Sequence, residues 1–182
     1  MTAGQWIIDT DVDARTTMGR MARLCRKAMT DPRVIYAANQ VVSIAPARDV
    51  DGQIEAISQF VNCSFSFVPN PIGTQTIRPP GWTGNELAPG MLEDIEARGI
   101  TQGACDDAAV LIATLGMANG IPARFRALAF LLEQDGQLIA PFTHVICDLC
   151  DGPDWLELDV TRPADMTRPA AADIARTLIV NV

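Results

Sequence analysis

Residues 103–124 read GACDDAAVLIATLGMANGIPAR. The small and aliphatic residues in this stretch predict a helix over 105–118 that buries Ala109, Leu111, Ile112 and Leu115. Asn119-Gly120 is its expected stop, because glycine accepts the left-handed backbone that ends many helices. A cysteine opens this helix, and two aspartates follow it directly. The N–H groups and dipole at a helix start favour a thiolate. Asp106 and Asp107 oppose a second anion beside them, yet both suit a helix's first turn. Cys105 is therefore either a buried structural thiol or a nucleophile. A nucleophile needs a base, and the base needs an orienting group.

The chain holds one histidine, His144, so the base has a single imidazole candidate. Its neighbourhood, Phe142-Thr143-His144-Val145-Ile146, reads as a strand, and Trp155-Leu156-Glu157-Leu158-Asp159 reads as the next one. Between them Asp151-Gly152 is a hairpin-turn signal. A turn centred there pairs His144 with Asp159 across an antiparallel ladder. Facing residues share a side of the sheet, so the carboxylate can fix the ring's tautomer and stabilise its cation. Pro153 loosens this register, since it donates no ladder hydrogen bond.

With these residues in view, the sequence resembles the transglutaminase-like superfamily, which is papain-related in fold. The likeness rests on three ordered motifs. The first is Gly103-x-Cys105 followed by an acidic residue, an aliphatic helix and Gly-Ile-Pro-Ala-Arg. The second is the histidine strand THVICDL, and the third is WLELDVT, with its W-x-x-x-D-x-T spacing. The resemblance covers about residues 51–162. It implies Cys105 as nucleophile, His144 as base and acid, and Asp159 as orienter. Helix 53–62 and FVPNP also resemble the segment before the nucleophile in small phage and prophage members, whose Gly-Asp-Cys-Asp-Asp motif has Ala104 in place of its first Asp here. Some members place a tryptophan or glutamine beside the oxyanion, and Trp82 and Gln102 are the candidates. The other reading of Trp82 is a loop anchor packing on the sheet.

The resemblance implies a cysteine enzyme that acts on an amide or peptide bond, by hydrolysis or acyl transfer, on a protein or peptide substrate. It implies no cofactor and no metal. The alternative is a phage virion or assembly component that keeps the fold with little or no catalysis and docks on phage structural proteins. A third reading, a redox pair at Cys147 and Cys150, is weak, because the two lie on opposite faces of a straight strand.

Composition narrows the partners. The chain has 182 residues and a net charge of −8, with Arg20, Arg23, Arg26 and Lys27 as its one basic cluster. An acidic chain with a solvated helix face of this kind does not suit nucleic acid. The start of the sequence, MTAGQWIIDTDVDA, has no basic region ahead of an apolar run, and no apolar run reaches membrane-spanning length. A cytoplasmic location is expected, in a host cell or in a virion if phage-encoded. The five cysteines are expected to be reduced thiols.

The remaining elements predict an α+β fold of papain or transglutaminase-like type, with N-terminal helices and the nucleophile helix packed on an antiparallel sheet. Met18, Met21, Ala22, Cys25 and Met29 form a stripe on a helix over 14–29. Asp31-Pro32 caps a second helix reaching about Ile44. Asp51-Gly52 reads as a break before a third helix over 53–62, then a strand over 63–68. The Pro- and Gly-rich stretch 69–89 reads as a loop, followed by a short helix near 90–98 closed by Gly99. Strands follow over 121–132, 138–149 and 155–160, with Gln134-Asp135-Gly136 as a turn. The tail's ADIARTL reads as helix-like. The expected organisation is a helical segment 1–50, a core 51–163 and a tail or helix 164–182. Trp155 is expected in the core, and Asp107 is expected to bond a backbone group or an arginine such as Arg124.

Overall fold

A computed structural model describes residues 11–70, 76–134, 137–161 and 174–182. Five helices are described: α1 (Asp11–Ala28), α2 (Pro32–Val42), α3 (Val50–Ser64), α4 (Met91–Arg98) and α5 (Cys105–Ala118). The strands are β1 (Phe65–Phe67), β2 (Thr101–Gly103), β3 (Ala123–Phe130), β4 (Leu132–Gln134), β5 (Gln137–Ile139), β6 (Phe142–Cys150), β7 (Trp155–Leu158) and β8 (Ile174–Asn181). β7, β6, β3 and β8 form one antiparallel sheet in that order. β1 and β2 pair in parallel, and β4 and β5 form a small hairpin. The α+β arrangement expected from the sequence is what the structure has.

Helix α5 lies at the centre. Every residue from Asp106 to Gly116 is buried, so this helix is enclosed on all sides rather than on one stripe. It packs against α1, α2 and α3 on one side and against β6 on the other. Gly116 gives the close approach to the sheet, because a Cβ there would come within 2.7 Å of Leu149 Cδ2. The Met18, Met21, Ala22 and Cys25 stripe of α1 is buried against this core, while Arg20, Arg23, Arg26 and Lys27 face solvent. Burial pushes the Cys25 thiol up to about 12, which fits a structural role.

Local signals explain most boundaries. Asp31 caps α2 by accepting from Arg33 N at 2.9 Å, with Pro32 at the first helical position. Gly99 closes α4 in the left-handed region at φ 76, and Gly120 follows α5 at φ 78. Asp51-Gly52 is not a break. Asp49 caps α3 by accepting from Gly52 N at 3.0 Å, and the pair lies inside the first turn. An Asp-Gly pair signals a turn only where the chain reverses, and here the preceding aspartate turns it into a helix start.

The tail departs further from expectation. ADIARTL begins at residues outside the described range, but Ile174–Asn181 is a strand and not a helix. It pairs with β3 along its length, from Arg124↔Asn181 to Phe130↔Ile174. The β-branched residues Ile174, Thr177, Ile179 and Val180 favour that choice once β3 offers a free edge. Residues 174–181 therefore join the core sheet. The expected turn at Gln134-Asp135-Gly136 falls partly on 135–136, outside the described residues; Gln134 and Gln137 on either side are paired.

The far face of the sheet carries an ionic cluster. Asp148 is fully buried and is bridged by Arg124 at 2.8 Å and Arg126 at 2.7 Å. Arg126 also reaches Glu157 on β7 at 2.7 Å, so one guanidinium ties β7 to β6. The Arg124 guanidinium lies 4.3 Å from the Trp155 ring centroid. Trp155 is thus at the surface beneath an arginine rather than in the core, because its strand is the sheet's edge. Cys147 is buried, Cys150 sits at the end of β6, and both are free thiols. Among the described residues no helix is long and apolar enough to cross a membrane.

Removing Asp148 leaves two arginines without their shared counter-ion. Asp148→Ala is expected to lower the unfolding free energy by about 3 kcal/mol, read from urea titration. A loss under about 1 kcal/mol would mean that the cluster behaves as an ordinary surface network.

Candidate active site

Cys105 is the first residue of α5, with Ala104 as its cap in extended backbone. Alanine has no side chain to satisfy the first-turn N–H groups. Asp106 Oδ1 accepts one of them, from Asp107 N at 3.1 Å, while Asp107 ties down the cap residue and the loop. Asp107 Oδ2 accepts from Ala104 N at 2.9 Å, and its Oδ1 accepts from Arg78 N at 2.7 Å. This geometry fixes the glycine of the motif. A Cβ on residue 103 would come within 2.5 Å of Asp107 Oδ2 and 2.6 Å of its Cβ, so only glycine lets the carboxylate close over the turn. Asp107 bonds two backbone N–H groups and not Arg124, which is committed to Asp148 on the far face.

His144 lies on β6, where the ladder to β3 changes register. Leu128 pairs with His144 and Ala129 with Phe142, so Thr143 is skipped. A bulge of this kind re-aims neighbouring side chains and is common beside active sites. His144 Nε2 meets Asp159 Oδ2 at 2.8 Å. The other carboxylate oxygen, Oδ1, accepts from Thr161 Oγ1 at 2.9 Å and from Thr161 N at 3.2 Å. The D-x-T spacing thus puts one oxygen on the ring and the other on the threonine.

The expected direct pairing of His144 with Asp159 is not the register observed. Cys147 faces Leu158 and Cys150 faces Trp155, which is two residues out of step with a turn centred on Asp151-Gly152. The chain reverses over a longer loop, closed by Asp151 N donating to Asp154 O at 3.1 Å. β7 ends at Leu158, so Asp159 stands just beyond the ladder. The contact survives because the slip is even. A shift of two keeps every side chain on its original face, whereas a shift of one would have turned Asp159 away.

Electrostatics follow from this geometry. Burial disfavours charge on the His144 ring, but its bonds to Asp159 and to the Cys105 sulfur, with the charge on both, outweigh it and raise its pKa to about 10. Cys105 and Asp159 are thus the two partners of one ring. With Nε2 given to Asp159, Nδ1 is the nitrogen left for the thiol. Asp159 feels burial pushing up, but the His144 and Thr161 bonds hold it down at about 2. Asp106, beside the thiol, is raised to about 7 by burial and by the Asp107 charge. Burial raises Asp107 as well, against the pull of its two backbone bonds.

Of the two oxyanion candidates, Trp82 is committed elsewhere. Its Nε1 donates to Glu96 Oε2 at 2.8 Å, and the Arg33 guanidinium lies 5.2 Å from its ring centroid. It anchors the loop on α2 and α4 rather than on the sheet, because Glu96 and Arg33 lie within its reach, and its one N–H is spent. Gln102 is exposed on β2, three residues before Cys105. It borders an open cavity of about 480 Å³ whose walls include Ile77, Pro79, Leu87, Pro89 and Arg98. Two residues were not legible as part of the site, Arg78 and Thr161. The D-x-T spacing was the signal for Thr161. Arg78 has none, since its role depends on where the loop lands. Among the described residues no cluster of histidine, cysteine and carboxylate side chains suits a metal ion.

No protein-family model and no curated protein matches this sequence. Among solved structures, the chain is similar to the periplasmic domain of TgpA from Pseudomonas aeruginosa, crystallised with ethylmercury. The identity is 20% and the TM-score 0.46, over 76% of this chain and 49% of that one. It is also similar to a cysteine-protease candidate from Cytophaga hutchinsonii, at 19% identity and a TM-score of 0.41, over 95% of this chain and 53% of that one. The chain spans about half the length of both.

The His144–Asp159 pair makes stability depend on pH. Raised above its unfolded value, His144 stabilises fully below about pH 6.5 and loses that contribution as pH rises towards about 10. Depressed Asp159 stabilises fully above about pH 4 and loses it as pH falls towards about 2. Asp159→Asn is therefore expected to cost most between about pH 4 and 6.5. The gap from the unsubstituted protein should narrow on both sides of that window. Urea titrations across pH check this, and a pH-independent gap would contradict it.

Proposed function

We propose that this chain is a transglutaminase-like cysteine enzyme that acts on an amide or peptide bond of a protein or peptide substrate through Cys105, His144 and Asp159. The observation that carries the reading is the arrangement of one imidazole between two partners. Asp159 Oδ2 lies 2.8 Å from Nε2, and Cys105 is near enough to raise the ring's pKa from the other side. The resemblance of the three motifs to the transglutaminase-like superfamily supports it independently.

The chemistry follows from the roles. The Cys105 sulfur, with its proton held by His144, attacks the carbonyl carbon. A C–S bond forms, and the carbonyl π electrons move to oxygen. The first turn of α5 offers backbone N–H groups and the positive end of the helix dipole to that oxyanion. On collapse the C–N bond breaks, and His144 protonates the departing amine. A thioester remains on Cys105. Water or a second amine then attacks it while His144 takes the incoming proton, and the sulfur leaves. Water gives hydrolysis, and an amine gives acyl transfer. Asp159 keeps the ring in the tautomer that presents Nδ1 to sulfur, and it stabilises the imidazolium throughout. Thr161 holds Asp159 in turn.

Iodoacetamide labelling with peptide mapping tests the reading. Cys105 is expected to label much faster than exposed Cys63 or buried Cys25. His144→Ala is expected to slow Cys105 labelling by about 100-fold. Incubation with a peptide and cell-wall library should yield a covalent acyl adduct on Cys105 by mass spectrometry, absent in Cys105→Ala. Equal labelling of Cys105 and Cys63, or a rate unmoved by His144→Ala, would refute the assignment.

A further inference from the structure

We infer that Arg78 is a positioning residue for Cys105, gripping the chain on both sides of the thiol and so setting the alignment of sulfur with His144. This rests on the reading of Cys105 as nucleophile.

Upstream of the thiol, the guanidinium holds β2. Arg78 Nη1 donates to Thr101 Oγ1 at 2.8 Å and to the Gln102 carbonyl at 2.7 Å. Downstream, its backbone N–H donates to Asp107 Oδ1 at 2.7 Å, the carboxylate that also closes the first turn of α5. Cys105 lies between these two anchors. The remaining donors fix Arg78 itself. Nη2 donates to the Pro89 carbonyl at 2.8 Å and to Asp94 Oδ2 at 2.6 Å. Asp94 is buried on α4 and is shared with Arg98.

Each Nη carries two hydrogens, and each of the four has its own acceptor. The acceptors belong to three segments: the end of the loop, α4 and β2. A lysine has three N–H groups on a single nitrogen and cannot span them. The loop that carries Arg78 is held in turn by α4. Met91 N donates to Pro79 O and Leu92 N to Pro80 O, each at 2.9 Å. Gly90 permits this approach, since a Cβ there would meet Gly81 O at 1.8 Å. The loop's landing is thus fixed on α4, which makes Arg78 a rigid reference for β2 and the head of α5.

The test uses the full chain as unsubstituted protein, Arg78→Lys and Thr101→Val. Cys105 labelling by iodoacetamide is measured well below each protein's thermal midpoint. Arg78→Lys is expected to slow it about 10-fold or more, and Thr101→Val to slow it less, with Cys63 labelling unchanged in both. In a His144→Ala background, Arg78→Lys is expected to have little further effect, because the arginine acts through the sulfur–imidazole alignment. A merely structural role would lower the midpoint and leave the rate of the folded protein alone. Folded variants that label at the unsubstituted rate overturn the inference, as does an effect of Arg78→Lys that is undiminished without His144. Should Arg78→Lys not fold, Thr101→Val decides by the same comparison. If Cys105 labels no faster than Cys63 in the unsubstituted protein, the catalytic reading itself fails, a result distinct from equal rates in the variants.

Discussion

A carboxylate buried at the head of a buried helix must find donors, and the fold around Cys105 is organised by how Asp107 finds them. Helix α5 is enclosed on all sides, so its first turn has little water to satisfy it. Ala104 contributes no capping oxygen. Asp107 instead secures the cap residue itself, accepting from Ala104 N and from Arg78 N. Glycine at 103 follows from the space this takes. The loop over 76–90 is drawn in because its backbone supplies the second donor. The acid–cysteine motif therefore ties the cap residue and the loop to the head of the helix, with the half-buried thiol between them.

The second half of the site is held by the sheet. His144 and Asp159 sit where regular pairing gives out, at a skipped residue in β6 and one step past the end of β7. Such positions can aim a side chain in ways that a continuous ladder does not. They need firm neighbours, and these are present. Arg126 fastens β7 to β6 through Asp148 and Glu157, within a few residues of the pair. The two halves meet at the ring, where its interactions with Asp159 and with Cys105 favour the cation. Burial costs that cation solvation, and the two partners repay it only while both stay in place.

How much of this was legible can be argued from particular residues. The α5 boundaries were, because Cys105 to Gly120 carries both a composition and a stop. The tail was not. Residues 174–178 satisfy a helical pattern as well as a strand pattern, and the edge of β3 decides between them. The Asp51-Gly52 pair misled for a similar reason, since the same dipeptide serves a reverse turn or a capped helix start. Trp155 misled because an aromatic at the start of a strand does not reveal whether that strand is central or at an edge. The His144–Asp159 contact was anticipated with the wrong ladder, and it held because strand alternation forgives a slip of two.

The sequence by itself determined the α+β order of elements, the helix that begins at Cys105, and the identity of the one imidazole that could serve it. These are local matters: periodicity, caps, and the scarcity of a residue type. Tertiary structure alone decided that Arg78 reaches both flanks of the thiol, that Trp82 is committed to α4, and that the tail joins the sheet. Each of these depends on where distant segments come to rest, because the donors and acceptors concerned are separated by long stretches of chain and only packing sets their distance.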